Sequence, residues 1–368
     1  MTERADSSDR APLRVAVVGA GWWAVENHLP VFASRPDVEI RAVCRKGAVE
    51  AERVAERFGV PIATEDHELL PWDELDAVAV SSPHSFHHTH AMAALDRGLH
   101  VLCEKPLAIT AADAFEMVRR AADQEVVLLV PHGWQFLPQA VAARDWIRGG
   151  RIGRLEHVVA QMASPARGLF SGEEDSIPDA ESPPEPSTWV GEDGGYAYGQ
   201  LSHLYSLVFW LTGLIPADAM GAVSPGPAGS DLYDAFLTTT RQGPLVSVSG
   251  GAGVPTSQRH HMEVRVFGTE GAVIVDLERD RIEIVRQDGD DYSFPLMRGA
   301  AIYPGTLPVH AFCDLALGYP DAVNHGDPVA SALGIAAIEA ALLSARTRRA
   351  EAVSPAVIEA EAWGLRLD

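Results

Sequence analysis

Four histidines stand within seven residues of one short stretch, SSPHSFHHTH. They are His84, His87, His88 and His90. An imidazole can ligate a transition metal or exchange a proton near neutral pH, so the stretch is typical of a metal site, a catalytic cluster or a ligand-facing turn. Spacings of three and four residues would place two of these rings on one helical face, as a zinc site requires. His132, His260 and His261 are candidate further ligands, but no pattern brings them to the stretch, and we predict no bound metal.

Lys105 is the second candidate, in the stretch CEKP at the end of a short apolar run. A lysine at the carboxyl end of a strand can donate to a substrate hydroxyl or carbonyl. Partial desolvation lowers its pKa, and the group can then also exchange a proton. Pro106 fixes the backbone after the lysine, and the bond between them is a candidate for the cis form. The alternative is an ordinary exposed lysine.

A glycine-rich turn, VVGAGWWA, is the third candidate. It places Gly19, Gly21 and Ala24 in a G-x-G-x-x-A pattern directly after a β-branched run. The first glycine makes the tight turn, the second lets a pyrophosphate approach the backbone, and the small third residue lets the next helix pack closely. We therefore predict a dinucleotide site, with Trp22 and Trp23 near the pyrophosphate. A purely structural turn is the alternative.

The strand after this turn ends in AVCRKG. An NAD site usually has an acid here for the ribose 2′-hydroxyl, whereas an arginine suits the 2′-phosphate of NADP. Arg45 and Lys46 occupy the place. The pattern predicts NADP, with NAD as the alternative if both side chains simply extend into water.

These residues are flanked by alternating strand-like and helical stretches. Strand-like runs cover 14–19, 38–44, 75–82, 100–105 and 125–133, and helical patterns cover 48–58, 86–98 and 110–124. Such alternation predicts a doubly wound parallel sheet. Beyond residue 150, longer alternating strands separated by glycine turns predict a second sheet, with helices over 199–213 and 327–349.

We therefore predict an α/β fold of two domains. A dinucleotide-binding domain with a doubly wound parallel sheet covers 14–134, after a disordered tail over 1–13. An α/β domain with a large, open, mostly antiparallel sheet covers 135–368 and serves substrate binding and association. Residues 164–188, rich in Pro, Ser and acids, are predicted to form a surface loop.

Composition narrows the possible partners. The net charge of −22 opposes nucleic acid and anionic membranes, which both require clustered cations. The sequence shows no uninterrupted apolar run of about 20 residues, and the polar N-terminus lacks a secretory pattern. Three widely spaced cysteines without a C-x-x-C pair fit a reducing compartment. We expect a cytoplasmic protein that acts on a small molecule.

Several stretches together resemble the Gfo/Idh/MocA family of oxidoreductases. They are RVAVVGAGWWA, SSPHSFHHTHAMAALDRGLHVLCEKPLA, IRGGRIGRLEHV, TWVGEDGGYAYGQLSH and VFGTEGAVIVD. The resemblance implies a Rossmann domain followed by an α/β domain whose open sheet mediates homodimers or homotetramers. It also implies hydride transfer between a nicotinamide and a secondary alcohol or ketone of a sugar, cyclitol or similar polyol.

The resemblance also implies residue roles. Lys105 corresponds to a catalytic, substrate-contacting lysine, and His203 to the histidine of a D-x-x-x-H motif. The sequence departs from that motif, because Gly199 stands in place of the acid and Ser206 replaces a later one. Other residues are implied only as ligand contacts. Those expected at the cofactor are Ser82, Pro83, His84, His87, Glu104 and Lys105, and those expected at the substrate are Lys105, Trp134, Tyr198, Gln200 and His203.

Three functions remain open from the sequence. The first is an NADP-dependent dehydrogenase or reductase in which Lys105 polarises the substrate oxygen and His203 relays the proton. The second is a glycosidase that works by oxidation and elimination with a tightly held dinucleotide. The third is a non-enzymatic dinucleotide sensor, which the missing acid at position 199 favours.

Overall fold

A computed structural model describes residues 11–171, 194–277, 279–300 and 302–362. Residues 1–10 of the predicted tail and residues 172–188 of the predicted surface loop lie outside these ranges. The described part contains two sheets, one parallel and one mostly antiparallel, which confirm the α/β fold class.

The first sheet is parallel and has six strands. They are β1 (Leu13–Val18), β2 (Val38–Cys44), β3 (Ile62–Thr64), β4 (Ala77–Val80), β5 (His100–Cys103) and β6 (Leu128–Leu129). Their spatial order is β3-β2-β1-β4-β5-β6, the doubly wound order in which the sequence of strands across the sheet reverses between β1 and β4. Ligands bind at this switch point, beyond the carboxyl ends of the strands.

Four helices connect these strands. They are α1 (Leu29–Ser34), α2 (Ala48–Phe58), α3 (His87–Leu95) and α4 (Ala111–Asp123). A π turn (Ala24–His28) precedes α1, and a 3₁₀ turn (His84–Phe86) precedes α3. Thr110 is the N-cap of α4, since its Oγ1 accepts a hydrogen bond of 3.1 Å from Asp113 N.

The second sheet has nine strands in the order β14-β13-β12-β11-β7-β10-β9-β8-β15. Only the pair β7 and β10 is parallel; every other described pair is antiparallel. The strands are β7 (Leu155–Ala163), β8 (Pro216–Pro225), β9 (Asp231–Thr240), β10 (Leu245–Gly251), β11 (His261–Gly268), β12 (Gly271–Asp276), β13 (Arg281–Arg286), β14 (Tyr292–Ser293) and β15 (Glu351–Ala352).

Six described helices follow the first sheet in the chain. They are α5 (Pro138–Arg148), α6 (Arg167–Ser171), α7 (Ser202–Thr212), α8 (Leu307–Ala316), α9 (Pro328–Thr347) and α10 (Ala356–Ala362), with a second π turn (Ala197–Leu201) directly before α7. Among the described helices, only α9 is long and apolar enough to cross a membrane. It packs on β8 and α7, and 67% of its apolar window is buried inside the protein.

Between β14 and β15 the chain packs again against the first domain. Val309 and Phe312 of α8 are fully buried in one cluster with Val15 and Phe32. Val130 N donates to the Gly326 carbonyl over 2.9 Å. The predicted boundary at 134/135 therefore separates the strands of the first sheet from those of the second. Residues around 309–326, however, complete the core of the first domain.

The face of the second sheet opposite α7 and α9 is open. Met220, Leu237 and Val159 point to this face, and each is 36–51% exposed. Strand register places them in one row, because Met220 pairs with Leu237, Leu237 with Ser247, and Ser247 with Val159. We call this row of exposed apolar side chains the open face.

Candidate active site

The glycine turn lies at the switch point of the parallel sheet. Gly19 has φ +83°, and a Cβ there would fall 2.2 Å from the backbone nitrogen of Ser82, so only glycine fits. Gly21 differs, since a Cβ there would have no neighbour closer than the Gly19 carbonyl at 3.9 Å. The space beside Gly21 and the first helical turn that follows fit a dinucleotide pyrophosphate, because first-turn N–H groups have no intrahelical acceptors.

The π turn after the glycines is tied to Glu104. Trp23 Nε1 donates to Glu104 Oε1 over 2.6 Å, and His28 Nε2 lies 3.0 Å from the same oxygen. Ser81 Oγ lies 3.0 Å from His28 Nδ1, which orients the ring. Burial would raise the pKa of Glu104, but His28 and Lys105 bring it below the ordinary value. Because these oxygens are engaged within the protein, we expect Glu104 to hold the cofactor turn in place.

The basic residues after β2 differ in burial. Arg45 is half-buried, and its Nη1 donates to the Ala20 carbonyl over 3.1 Å, within the glycine turn. Lys46 is exposed. Glu65 at the end of β3 reaches the same place, since its carboxylate accepts a 2.7 Å hydrogen bond from Gly47 N.

The predicted ligand-facing turn follows β4 and contains Ser82, Pro83 and His84. Ser82 and His84 are buried and Pro83 is exposed. His87, the next residue of interest, is fully buried. Its Nδ1 lies 2.7 Å from the Pro106 carbonyl and its Nε2 lies 2.8 Å from the Ser82 carbonyl. With both ring nitrogens engaged by backbone, His87 ties the turn to the Lys105–Pro106 segment, and we expect it to shape the cofactor site from behind.

The two remaining histidines of the stretch make separate contacts. His88 Nε2 lies 3.0 Å from Glu116, and these two groups with Asp113 bring three ligand-type atoms within 4.8 Å on a partly exposed surface. His90 Nδ1 lies 2.9 Å from Ser82 Oγ. Burial lowers the pKa of His90 to about 4. The four histidines therefore do not converge on one point.

Lys105 is half-buried at the end of β5, and the Lys105–Pro106 bond is cis. Its Nζ donates to the carbonyl of Gly199 over 2.9 Å. The lysine thus contacts the very residue that replaces the expected acid. Burial lowers the pKa of Lys105 to about 8, against a smaller opposing effect of Glu104. An ammonium with this pKa can lose a proton under mildly alkaline conditions.

His203 lies on the first turn of α7, after the second π turn, and is 6% exposed. Its Nδ1 is 3.1 Å from Nδ1 of His132, which follows β6. His132 Nε2 is 3.1 Å from Ser331 Oγ on α9. Burial, Lys105 and His132 hold the pKa of His203 well below its ordinary value, and burial and Lys105 lower that of His132 to about 3. Both imidazoles are therefore neutral near pH 7.

Aromatic rings enclose His203. Trp134 and Tyr303 each lie 5.5 Å from it by ring centroids, and 4.7 Å from each other. Tyr303 also lies 6.1 Å from Trp23, and His260 lies 6.1 Å from Trp134. The rings therefore connect the cofactor turn with the predicted substrate residue Trp134.

Tyr198 and Gln200 belong to the second π turn and are both buried. The Tyr198 carbonyl accepts a 2.7 Å hydrogen bond from Ser202. The side-chain amide of Gln200 has no hydrogen-bond partner among the described residues, and the residue is 9% exposed. An amide without a partner among these residues fits the predicted contact with a polar ligand.

Sequence reasoning missed several residues that complete this site. His28 and Tyr303 carry no motif, and Ser331 lies in an otherwise ordinary helical stretch. From the sequence, His132 is a candidate zinc ligand that follows the last strand of the parallel sheet, and we predict no catalytic role for it. Its position directly after a parallel strand was the one available signal, because such positions face the ligand edge of the sheet.

Two family descriptions match the chain. Residues 13–132 match the oxidoreductase family with an NAD-binding Rossmann fold, and residues 140–274 match the GFO/IDH/MocA C-terminal domain. Together these matches cover more than half of the chain.

Named relatives include enzymes of sugar chemistry. Levoglucosan dehydrogenase of Pseudarthrobacter phenanthrenivorans is 26% identical over 339 residues, covering 83% of this chain and 85% of the relative. A dTDP-3,4-didehydro-2,6-dideoxy-alpha-D-glucose 3-reductase of Streptomyces antibioticus is 29% identical over 289 residues, covering 76% of this chain and 82% of the relative. D-glucoside 3-dehydrogenase of Escherichia coli (strain K12) is 33% identical over 169 residues, which span 45% of this chain and about half (48%) of the relative.

Solved structures share the fold. GenD2 from gentamicin A biosynthesis, in complex with NAD, has a TM-score of 0.74 at 21% identity, covering 95% of this chain and 99% of GenD2. Levoglucosan dehydrogenase in complex with NADH and levoglucosan has a TM-score of 0.70 at 20% identity, covering 93% of this chain and 99% of the dehydrogenase. With both of its domains matched, the chain belongs to the Gfo/Idh/MocA family of oxidoreductases and contains an NAD-binding Rossmann domain.

Proposed function

We propose that the protein is an NADP-dependent dehydrogenase or reductase that acts on a secondary alcohol or ketone of a sugar, cyclitol or similar polyol. The observation that carries this proposal is the placement of Lys105. Its Nζ lies half-buried, 2.9 Å from the Gly199 carbonyl, at the strand edge that also bears the glycine turn. The named relatives that act on glucosides, levoglucosan and a dTDP-linked sugar add support for the substrate class.

The side chains of the site have separate roles in the proposed reaction. A bound nicotinamide supplies the hydride acceptor or donor. Lys105 as ammonium donates a hydrogen bond to the carbonyl oxygen of the ketone, and as neutral amine accepts the hydroxyl proton of the alcohol. His203, whose pKa is lower, is the weaker base of the two and accepts a hydrogen bond from a substrate hydroxyl. The surrounding rings of Trp134 and Tyr303 exclude water from these groups.

A direct test offers NADP with levoglucosan, simple glucosides and cyclitols, and NADPH with the corresponding 3-keto sugars, while absorbance of the reduced nicotinamide is followed. Turnover of at least one compound in both directions is the expected result. Release of free sugar from an aryl glycoside without net change in cofactor would instead indicate oxidation and elimination. Cofactor binding without turnover of any compound in a broad panel would favour the sensor.

The pH dependence of kcat/KM should reflect the protonation state of Lys105. Oxidation requires the neutral amine, so its kcat/KM should rise by roughly tenfold per pH unit below the pKa of about 8 and level off above it. Reduction requires the ammonium, so its kcat/KM should fall above about 8. Initial rates measured in both directions at constant ionic strength give both curves. An oxidation rate that does not change between about pH 6.5 and 9.5 would contradict the assignment.

Cofactor preference should depend on Arg45 and Lys46. Energy transfer from the eight tryptophans to reduced nicotinamide gives Kd values for NADPH and NADH. We expect NADPH to bind at least about tenfold more tightly, since charge-assisted hydrogen bonds to a phosphate contribute about 1.5–3 kcal/mol. Changing Arg45 to Glu and Lys46 to Ala should abolish the difference, whereas Arg154→Ala, directly before β7 in the second domain, should preserve it. Equal or tighter binding of NADH would contradict NADP and favour Glu65 as the ribose partner.

We also propose that the open face mediates a homodimer or homotetramer. Met220, Leu237 and Val159 form one exposed apolar row across neighbouring strands, and exposed apolar patches of this kind mark association sites. Leu237→Glu should lower the mass measured by light scattering to that of the monomer. Leu69→Glu, at a 70% exposed leucine far from this sheet in the chain, should leave the mass unchanged. A wild-type monomer would contradict the proposal.

A further inference from the structure

We propose that His132 and Ser331 are positioning residues that fix the tautomer of His203, in place of the acid that position 199 lacks. They would hold His203 with its proton on Nδ1, so that Nε2 is left to accept a hydrogen bond from the substrate. The inference rests on the proposed function, because it assigns the state in which His203 meets a substrate hydroxyl.

The proton positions follow from the contacts around Ser331. Gln135 Nε2 donates to Ser206 Oγ over 3.0 Å, and Ser206 Oγ lies 3.3 Å from Ser331 Oγ. Ser206 accepts from Gln135 and has a second lone pair, so it either donates to Ser331 or accepts from it. The Ser331 hydroxyl lies 3.1 Å from the Asp327 carbonyl, which can only accept.

The Ser331 proton points either away from His132, to Asp327 or Ser206, or toward it. If Ser331 donates to the Asp327 carbonyl and accepts from Ser206, it also accepts from His132 Nε2–H at 3.1 Å, and all three contacts of Ser331 are hydrogen bonds. If Ser331 donates to His132 instead, its hydroxyl no longer bonds to Asp327. Because His132, Ser206 and Ser331 are buried, we infer that the arrangement with more hydrogen bonds is the stable one.

The proton on His132 Nε2 decides the tautomer of His203. A neutral imidazole carries one proton, so His132 Nδ1 is then an acceptor. It lies 3.1 Å from His203 Nδ1, which must therefore carry the proton between them. His203 Nε2 is left as a lone pair, and it has no hydrogen-bond partner among the described residues.

The neutral partner also changes the chemistry. An aspartate beside the imidazole would raise the pKa of His203, whereas His132 orients the ring without adding a negative charge. The titratable groups that act on His203 are Lys105, His132 and His260, and all of them are bases. His203 therefore remains a neutral acceptor while Lys105 carries the proton.

The first test is the ¹⁵N NMR spectrum of histidine-labelled protein, with NADPH alone as the ligand. His203, assigned through the His203→Gln variant, should show a protonated Nδ1 and an unprotonated Nε2. Ser331→Ala should shift this signal toward the opposite tautomer. Ser344→Ala removes another buried hydroxyl of α9 and should leave the signal unchanged, because it lies about 20 Å further along the helix. A wild-type His203 protonated on Nε2 would overturn the proposal.

The second test is kinetic. His132→Ala should lower kcat by about a hundredfold through misorientation of His203, with the Kd for NADPH unchanged. His132→Asn should restore most of this loss, because its side-chain oxygen occupies the place of Nδ1 and can accept from His203. His132→Asp should also restore turnover and add a pH limb from a more basic His203. An asparagine variant as slow as the alanine variant, at unchanged NADPH affinity, would contradict the positioning role.

The two tests separate this inference from the proposed function. The NMR signal requires no turnover, so the tautomer is measured even if none of the tested sugars reacts. A protonated Nδ1 without any turnover would support the role of His132 and Ser331 and count against the dehydrogenase. Turnover with a protonated Nε2 would do the reverse.

Discussion

Replacing Lys105 with methionine is expected to lower kcat/KM by about two to four orders of magnitude, the range of a positioned proton-transfer group. Methionine keeps most of the side-chain volume, so the loss isolates the ammonium. The wild-type Nζ donates to the Gly199 carbonyl and has a pKa of about 8. The Kd for NADPH should stay within about threefold of the wild type.

Lys105→Arg is the matched control for charge. Arginine keeps a cation that can polarise a carbonyl but does not lose its proton in the accessible pH range. It should therefore recover part of the carbonyl polarisation but not the proton transfer, and kcat/KM should rise above that of the methionine variant by the same factor in both directions, because the equilibrium constant of the reaction is unchanged. Full recovery of the wild-type kcat/KM would show that Lys105 acts only through its charge. A methionine variant with more than about a third of wild-type turnover would refute any catalytic role.

The lysine can also be observed directly. The chain contains only two lysines, Lys46 and Lys105. A lysine-reactive probe followed by peptide mapping will therefore report Lys105 without interference from other sites. Its modification rate should rise through a midpoint at about pH 8, and bound NADPH should slow it if the nicotinamide site lies beside the amine.

Gly19→Ala should lower stability and Gly21→Ala should lower cofactor affinity, although the two glycines stand only two residues apart. At Gly19 the new Cβ would fall 2.2 Å from the Ser82 backbone, and φ is +83°. We expect the free energy of unfolding to fall by about 4 kcal/mol or more, which is exceptional for one methyl group. At Gly21 the nearest atom is 3.9 Å away, so the unfolding free energy should change by less than about 1 kcal/mol.

Cofactor binding should separate the two variants further. The Cβ of Gly21→Ala would occupy the space that a pyrophosphate needs, so the Kd for NADPH should rise by at least about tenfold in a fully folded protein. Urea denaturation followed by tryptophan fluorescence measures stability, and energy transfer to the nicotinamide measures binding. A stable Gly21→Ala variant with wild-type affinity would show that the dinucleotide does not approach this turn closely.

Local patterns predicted the elements of the first domain well. The predicted bounds of β2 and α2 agree with the structure, because continuous apolar and amphipathic runs are properties of neighbouring residues. β6 is only two residues long where a run of nine was predicted, since pairing with β5 covers only Leu128 and Leu129. β3 was missed because its three residues carry no detectable period.

Tertiary contacts account for most of the remaining differences. Nothing in the local sequence of α8 indicates that it completes the core of the first domain, almost 300 residues after β1. The site shows the same division. Lys105 and His203 were predicted because they lie in motifs, whereas Ser331 becomes relevant only because α9 packs against α7. Such pairings depend on helix packing angles that a single sequence does not encode in any short window.

The second π turn has a consequence for comparing this chain with its relatives. The Ser202 amide bonds back to the carbonyl of Ala197, five residues away, so this part of the helix holds one residue more than an α-helix would. An inserted residue rotates everything before it by about 100° around the helix axis. The residue four positions before His203 in the sequence is therefore not the residue that lies one helical turn before it in space. Where the same segment of a relative is a regular α-helix, both Tyr198 and Gly199 have to be compared with the acid of that relative.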